Sequence, residues 1–278
     1  VKRKPAAWPD HFSRPRLIAA HRGFRACFPE NTQLAFSAAC GRCDFLETDI
    51  RLSRELIPVV IHDPTLKRTS DISARQQDPT LPCPGSALVA ECSLAELRLL
   101  DMGSWFLQSD PFATIASGQA DRAKLSAAMP QRIMTLRELL NWARSQALPL
   151  NLELKELEQP EQDRLVVERV VREIQAQDAQ PWVLISSFKH SYLSRCRLLD
   201  PTLTTAALVA EHHPPDLLNY LKALEVSAYH PEAAIIDREL IALLRRQGLA
   251  VNVYTVNEAT RQQALFAAGA NAIFTDFL

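Results

Sequence analysis

Short apolar runs rich in β-branched residues alternate with segments of helical period along almost the whole chain, a pattern that leaves few folds open. The strand-like runs are Leu17–Ala20, Phe45–Ile50, Leu150–Leu154, Val183–Ser186, Thr204–Leu208, Val226–Tyr229, Ala250–Tyr254 and Ala272–Thr275, eight in all. Caps mark several helices between them. Thr135-Leu-Arg-Glu138 has the spacing of a capping box, with Leu136, Leu139, Leu140 and Ala143 repeating at helical spacing behind it. Pro160 opens a helix carrying Val166, Val167, Val170, Val171 and Ile174, while Asp237 precedes Leu240, Ile241 and Leu244 before Gly248 ends that helix. Eight strands, each with its helix, predict an α/β protein with a TIM-type (β/α)8 barrel, because an open doubly wound sheet more often stops at about five to seven strands. The expectation is one barrel domain over residues 1–278.

One run, Pro58–Ile61, does not fit the alternation. Only Arg51–Ile57 separate it from the strand before, too little for a helical crossover, so an antiparallel hairpin is expected. A turn near Arg54–Ile57 sets paired residue numbers summing to about 111 and places His62 opposite Asp49. Residues 64–134 then bring Pro64, Pro79, Pro82, Pro84, Pro111 and Pro130, a capped short helix at Ser93-Leu-Ala-Glu96 and little periodicity. They read as an inserted lid or side wall after the second strand, on the face where βα loops build sites, not as a separate domain.

Composition removes several classes. With 31 basic and 32 acidic residues the formal net charge is −1 and no basic stripe stands out, which argues against a nucleic-acid partner. Any anionic ligand must therefore meet local positive charge. No run reaches the ~18 apolar residues of a membrane span. Val1–Pro15 has three early basic residues and then Trp8-Pro9-Asp10-His11, without the apolar stretch of a signal peptide, so a cytoplasmic chain is expected. The six cysteines are irregularly spaced and read as reduced thiols. Cys40 and Cys43 form a C-x-x-C with no second half-site, following a helix instead of opening one, and are read as packing at a helix end. Oligomeric state stays open.

Polar residues gather where strands end. His21-Arg22-Gly23 follows the first strand, Glu47-Thr48-Asp49 ends the second, His62-Asp63 ends the hairpin return, and Glu153-Leu154-Lys155 ends the next. In a parallel barrel those ends share one rim. Glu47 and Asp49, one residue apart, face the same way on a strand, and Glu153 lies on the neighbouring strand. Three converging carboxylates repel unless a cation sits among them, and oxygen ligands suit a hard ion: one divalent cation is expected, Mg2+ first and Ca2+ as the alternative. Solvated rim acids paired with Arg51 and Lys155 are the competing reading.

His21 and His62 can reach the space above such an ion, and an imidazole pKa of ~6.5 lets one accept a proton while the other donates. Arg22 and Lys155 supply fixed positive charge for a phosphoryl group, or else brace the carboxylates. His11, His190, His212 and His213 are expected to be exposed or structural. Phe188, His230 and Tyr254 are candidates for a substrate wall, with core packing equally consistent for the two aromatics.

Taken in order, Ala20-His-Arg-Gly23, Pro29-Glu-Asn-Thr32, Ala35-Phe36, Phe45-Leu-Glu-Thr-Asp-Ile50, Pro58-Val-Val-Ile-His-Asp63 and Leu66-Lys-Arg-Thr69 resemble the N-terminal signature of the glycerophosphodiester phosphodiesterases. Asp101-Met-Gly-Ser-Trp-Phe106, Leu152-Glu-Leu-Lys155, Ile185-Ser-Ser-Phe188, Tyr254-Thr-Val-Asn257 and Gly269–Asp276 resemble its later blocks. The resemblance implies a barrel with a segment inserted after the second strand. It implies His21 and His62 as acid and base, Glu47, Asp49 and Glu153 as metal ligands, and Arg22 with Lys155 at the phosphate. The substrate implied is a small glycerophosphodiester, cut through a cyclic phosphate to an alcohol and glycerol 3-phosphate. Arg54-Glu55-Leu56 departs from the family's usual Asp-Gly turn, Tyr254 stands where tryptophan is frequent, and Gln131–Leu136 replaces a usual Ile-Pro-Thr-Leu. The alternatives are a phospholipase D-like activity on lysophospholipids or sphingomyelin, which calls for an apolar rim, and a silent phospho-ligand-binding module.

Overall fold

The computed structural model describes residues 5–278; Lys2, Arg3 and Lys4, which entered the reading of the N-terminus, lie outside the described residues. Nine strands form among the described residues: β1 (Leu17–His21), β2 (Phe45–Leu52), β3 (Pro58–Val60), β4 (Leu150–Leu154), β5 (Val183–Ser187), β6 (Thr204–Val209), β7 (Ala228–Pro231), β8 (Ala250–Val253) and β9 (Ala272–Thr275). All but β3 run parallel in the order β1-β9-β8-β7-β6-β5-β4-β2, and β1 pairs with β2 to close the ring. This is the eight-stranded barrel that the alternation predicted. Seven of the eight runs begin where the strands begin; β7 starts two residues later than its apolar run, because Glu225 turns the chain with a left-handed φ of 51° and Val226 leads in.

Alternate side chains divide two interiors. Leu46, Ile50, Leu150, Leu152, Leu154, Val183, Ile185, Val251 and Ile273 pack outward against helix residues such as Leu136, Leu140, Val166, Val170, Leu193, Ile241 and Leu244 in one large cluster. Each such buried aliphatic side chain contributes ~1.5–3 kcal/mol. Inside the ring, Leu17, Ala19, Phe45, Leu184, Ala206, Ala228, Ala250, Ala272 and Phe274 fill the lower part. Trp8, on the helix Trp8–Ser13, is fully buried among them, its ring 4.8 Å from Phe45, and its Nε1–H donates to the Leu150 carbonyl at 3.2 Å. It plugs the N-terminal mouth, opposite the polar rim. The sequence-read caps are present: Thr135 and Glu138 bond reciprocally, and Asp237 accepts from Leu240 N at 2.8 Å.

β2 is longer than β1, and its far edge is covered by β3. The hairpin forms, but its register differs from expectation. Ile50 faces Val60, Arg51 faces Val59 and Leu52 faces Pro58, and Ile61 N–H donates to the Asp49 carbonyl at 3.1 Å, so Asp49 faces Ile61 and not His62. The cause is the turn. Leu56 adopts a left-handed φ of 64°, and Ser53 N–H donates to Ile57 O at 3.0 Å, which leaves the three-residue loop Arg54-Glu55-Leu56. One residue of slip reverses which face a side chain takes. His62 therefore reaches the rim after β3 has ended.

Residues 64–134 carry the short helices Ile72–Gln77, Leu94–Leu97, Trp105–Ser109 and Arg122–Ala127. They build two small apolar clusters of their own, one around Ile72, Val89, Leu97 and Leu100 with Val59 of β3, the other around Phe106 and Leu125 with Cys27. The segment rejoins the barrel beside β3, where Val60 N–H donates to Met134 O at 2.9 Å. All six cysteines are unpaired, and the Cys40 and Cys43 thiols donate to the Phe36 and Ala39 carbonyls at the end of the helix Gln33–Ala39. No described helix is long and apolar enough to cross a membrane.

Because Trp8 closes the mouth remote from the polar rim, Trp8→Ala should cost about 3–5 kcal/mol. Urea denaturation should show the loss, with ligand binding at the rim unchanged.

Candidate active site

The rim is assembled by register. His21 and Glu47 are direct neighbours across β1 and β2, and Asp49 and Glu153 are direct neighbours across β2 and β4. Gly23 lets the chain turn away after His21: its φ is +86°, and a Cβ there would lie 2.8 Å from Ala35 backbone and side-chain atoms. The turn folds onto residues 30–35, where Phe24 N–H donates to Ala35 O at 3.1 Å and Asn31 N–H to Arg22 O at 3.1 Å. Thr32 caps the helix Gln33–Ala39.

Glu47, Asp49 and Glu153 each offer an oxygen, and these lie within 4.8 Å of one another. Glu47 Oε1 and Asp49 Oδ1 are buried with no hydrogen-bond donor among the described residues. A buried carboxylate oxygen left so is costly unless positive charge meets it. Burial, and then the charges of Asp49 and Glu153, push the Glu47 pKa well above its ordinary value. For Asp49 burial acts the same way but is outweighed by Arg22, His62 and Lys155, which hold the carboxyl ionised well below the usual range. All-oxygen donors, unsatisfied lone pairs and mutual repulsion fit a hard divalent cation.

Both histidines are anchored alike. His21 Nδ1 lies 2.7 Å from Asp276 Oδ1, and His62 Nδ1 lies 2.6 Å from Asp63 Oδ1. A carboxylate only accepts, so each Nδ1 carries hydrogen and each Nε2 is left for the cavity. His21 Nε2 is 4.0 Å from Glu47 Oε2, and Lys155 Nζ donates to His62 Nε2 at 3.2 Å. Burial, with Arg22 and Arg25 adding to it, outweighs the Asp276 bond and lowers the His21 pKa.

Arg22 and Lys155 stand among the acids. Arg22 donates to Glu30 at 3.0 Å and places Nε 3.2 Å from Asp49 Oδ2 without a hydrogen-bonding angle. The Lys155 ammonium bonds Glu153 and lies 3.7 Å from Asp49. A cavity opens here, lined by His21, Arg22, Glu47, His62, Glu153 and Lys155, with Phe188 and Tyr254 on its wall. Those two rings meet edge to face at 6.0 Å, and Tyr254 donates to Val209 O at 2.9 Å.

A family model described as the glycerophosphoryl diester phosphodiesterase family matches residues 21–278. The chain belongs to that family. A glycerophosphodiester phosphodiesterase from Bacillus altitudinis is 28% identical over 267 residues, covering 94% of each chain. One from Caldanaerobacter subterraneus subsp. tengcongensis is 27% identical over 273 residues, covering 94% of this chain and 93% of that one. Among solved structures, a phosphodiesterase from Oleispira antarctica in complex with the product sn-glycerol-3-phosphate is 26% identical, with a TM-score of 0.75 over 96% of this chain and 95% of that one. As a family member the chain is a phosphoric diester hydrolase.

In this phosphodiesterase all seven polar residues singled out from the sequence come to one rim, but His230 does not join them. Its side chain is fully buried off the cavity wall, where Nε2 pairs with Asn252 Nδ2 at 2.9 Å and the ring lies 5.1 Å from Phe274. The residue points into the barrel one layer below the rim. His190 and His213 are structural, each joining a tyrosine hydroxyl to a backbone carbonyl. None of residues 64–134 lines the cavity. Phe112 and Trp105 of that segment instead lie against the guanidinium groups of Arg25 and Arg68, 5.4 and 5.9 Å from the ring centres.

Sequence reasoning assigned no role to Glu30, Asn31, Asp63, Arg68, Asn257 or Asp276. Asn31 donates to Asp49 Oδ2 at 3.0 Å and accepts from Thr48 at 2.7 Å, while Asn257 donates to Asp276 at 2.9 Å. Asp63 was signalled by its adjacency to His62. Asp276 was signalled only by its place after the last strand.

His230 yields a pH prediction. Burial lowers its pKa from 6.5 to about 3, so below pH 6.5 the unfolded chain takes up a proton that the folded chain refuses. Its contribution to stability is complete above 6.5 and is lost as pH falls toward about 3. His230→Gln, which keeps a partner for Asn252, should make the acid decline shallower across that window by up to about one proton. Urea unfolding at a series of pH values measures the slope.

Proposed function

We propose that this chain hydrolyses small glycerophosphodiesters to an alcohol and glycerol 3-phosphate, with His21 and His62 as paired acid and base. In this reading Glu47, Asp49 and Glu153 hold one divalent cation, Mg2+ before Ca2+, and Arg22 and Lys155 neutralise the phosphate. The whole chain acts as one catalytic barrel, with residues 64–134 packed behind the site. The observation that carries it is the matched anchoring: two imidazoles, each tied at Nδ1 to an aspartate, at one three-carboxylate cluster. The Oleispira relative bound to sn-glycerol-3-phosphate supports the same product class.

The two rings exchange protons in both halves of the reaction. First, one imidazole takes the proton of a glycerol hydroxyl as that oxygen bonds to phosphorus, and the other protonates the departing alcohol oxygen as its P–O bond breaks. A cyclic phosphate remains. Then water gives a proton to the second ring as it adds to phosphorus, and the first ring returns its proton to the glycerol oxygen as the cycle opens. Both rings end as they began. A bound divalent cation supplies Lewis-acid stabilisation of phosphoryl charge and lowers the pKa of an oxygen it holds. Lys155 and Arg22 keep the anionic substrate from meeting a bare wall of carboxylates. An acyl-chain substrate finds less support, because Val89 and Phe106 of residues 64–134 are buried and the exposed Leu81 and Leu88 do not line the cavity.

The test is release of glycerol 3-phosphate from glycerophosphocholine and glycerophosphoethanolamine, with and without chelator. Release that chelator stops and Mg2+ restores is expected; none with metal present overturns the reading, and indifference to chelator overturns the metal set. His21→Ala and His62→Ala should each lower turnover by at least ~10²-fold with the fold intact. Glu153→Gln should weaken Mg2+ binding by titration calorimetry more than it lowers the Tm of metal-free protein.

A further inference from the structure

Both histidine anchors lead to one carboxylate. Arg25 Nε donates to Glu30 Oε2 at 3.1 Å, and its Nη1 lies 3.3 Å from Asp276 Oδ1, the oxygen that holds His21. On the other side Arg68 donates to both Glu30 oxygens at 3.0 and 2.8 Å and to both Asp63 oxygens at 2.7 and 3.0 Å, and Asp63 holds His62. Glu30 is only 4% exposed. Burial alone would raise its pKa, yet the guanidinium groups of Arg68, Arg22 and Arg25 bring it down to about 2, so it is ionised at neutral pH.

We propose that Glu30 is the positioning residue that aligns both imidazoles, through Arg25–Asp276 to His21 and through Arg68–Asp63 to His62; the acid/base roles rest on the function proposed above. A planar guanidinium with donors at both ends is a rigid spacer between two carboxylates. Two such spacers meeting on one buried group fix the separation and tilt of the rings relative to each other, and a two-ring proton exchange depends on that quantity. The insertion supplies an independent observation. Phe112 lies against the Arg25 guanidinium at 5.4 Å and Trp105 against that of Arg68 at 5.9 Å, so each spacer has an aromatic cover from the same short stretch. A ring face attracts a guanidinium and helps to hold it in place.

The arms differ in strength. Arg68 is bidentate at both ends, whereas Arg25 makes single contacts and Asp276 relies also on Asn257. Glu30 should therefore matter to both rings, and each arginine to one.

The experiment uses the full-length protein with ring-¹⁵N-labelled histidine, reading tautomer and line width of His21 and His62 by NMR beside kcat and KM for glycerophosphocholine with Mg2+. Expected are perturbed signals from both rings in Glu30→Gln, from His21 alone in Arg25→Met, and from His62 alone in Arg68→Met. With them kcat should fall by at least ~10²-fold in Glu30→Gln, and KM should rise as well, because Arg22, placed at the phosphate in the function proposed above, also donates to Glu30. Unaltered ring signals in Glu30→Gln overturn the proposal, as does an arginine variant that moves the distant ring. Should Glu30→Gln not fold, Glu30→Asp, which keeps the charge but shortens the reach, must disturb both rings; a wild-type spectrum there overturns it equally. The ring signals do not depend on turnover. Wild-type protein inert toward the diester, with the ring pattern as expected, removes the proposed reaction and leaves the alignment by Glu30 standing.

Discussion

Repulsion among three carboxylates on β2 and β4 is the constraint around which the rest of the polar architecture is arranged. Strand pairing brings Asp49 and Glu153 side by side, and the two-residue period of β2 adds Glu47. A barrel makes this unavoidable once acids occupy those positions. Arg22, Lys155 and Asn31 then surround the cluster, and each touches Asp49, the most deeply buried of the three.

Around that centre a second tier holds the imidazoles. Asp276 and Asp63 fix the tautomers, and the guanidinium groups of Arg25 and Arg68 hold the aspartates. The centre is thus a set of charges whose partners are themselves partnered, which lets ionised groups persist with little water. The apolar clusters built by residues 64–134 lie outside this tier.

Much of the fold was legible because its signals are local. Strand length, caps such as Thr135 and Asp237, and the eightfold alternation depend on nearby residues. The acids and histidines at strand ends could be read from one topological fact, that parallel strands end together. What escaped depended on something else. Leu56 in a left-handed conformation is not signalled by its side chain, and that single dihedral moved the hairpin by one residue. The inward direction of His230 follows from alternation, but its depth depends on the stagger of short strands around the ring. Asp276 meets His21 only because the last strand pairs with the first, 255 residues away along the chain. Glu30 lies in a loop with no period, and its role depends on three arginines that sequence spacing does not bring together.

The cost of folding three acids together is offset in part by Lys155. Its ammonium already rests between Glu153 and Asp49 and reaches His62, so like charges are partly quenched from within. Part of the like-charge cost of bringing these acids together is therefore met by the chain's own ammonium, carried on a stem flexible enough to re-aim.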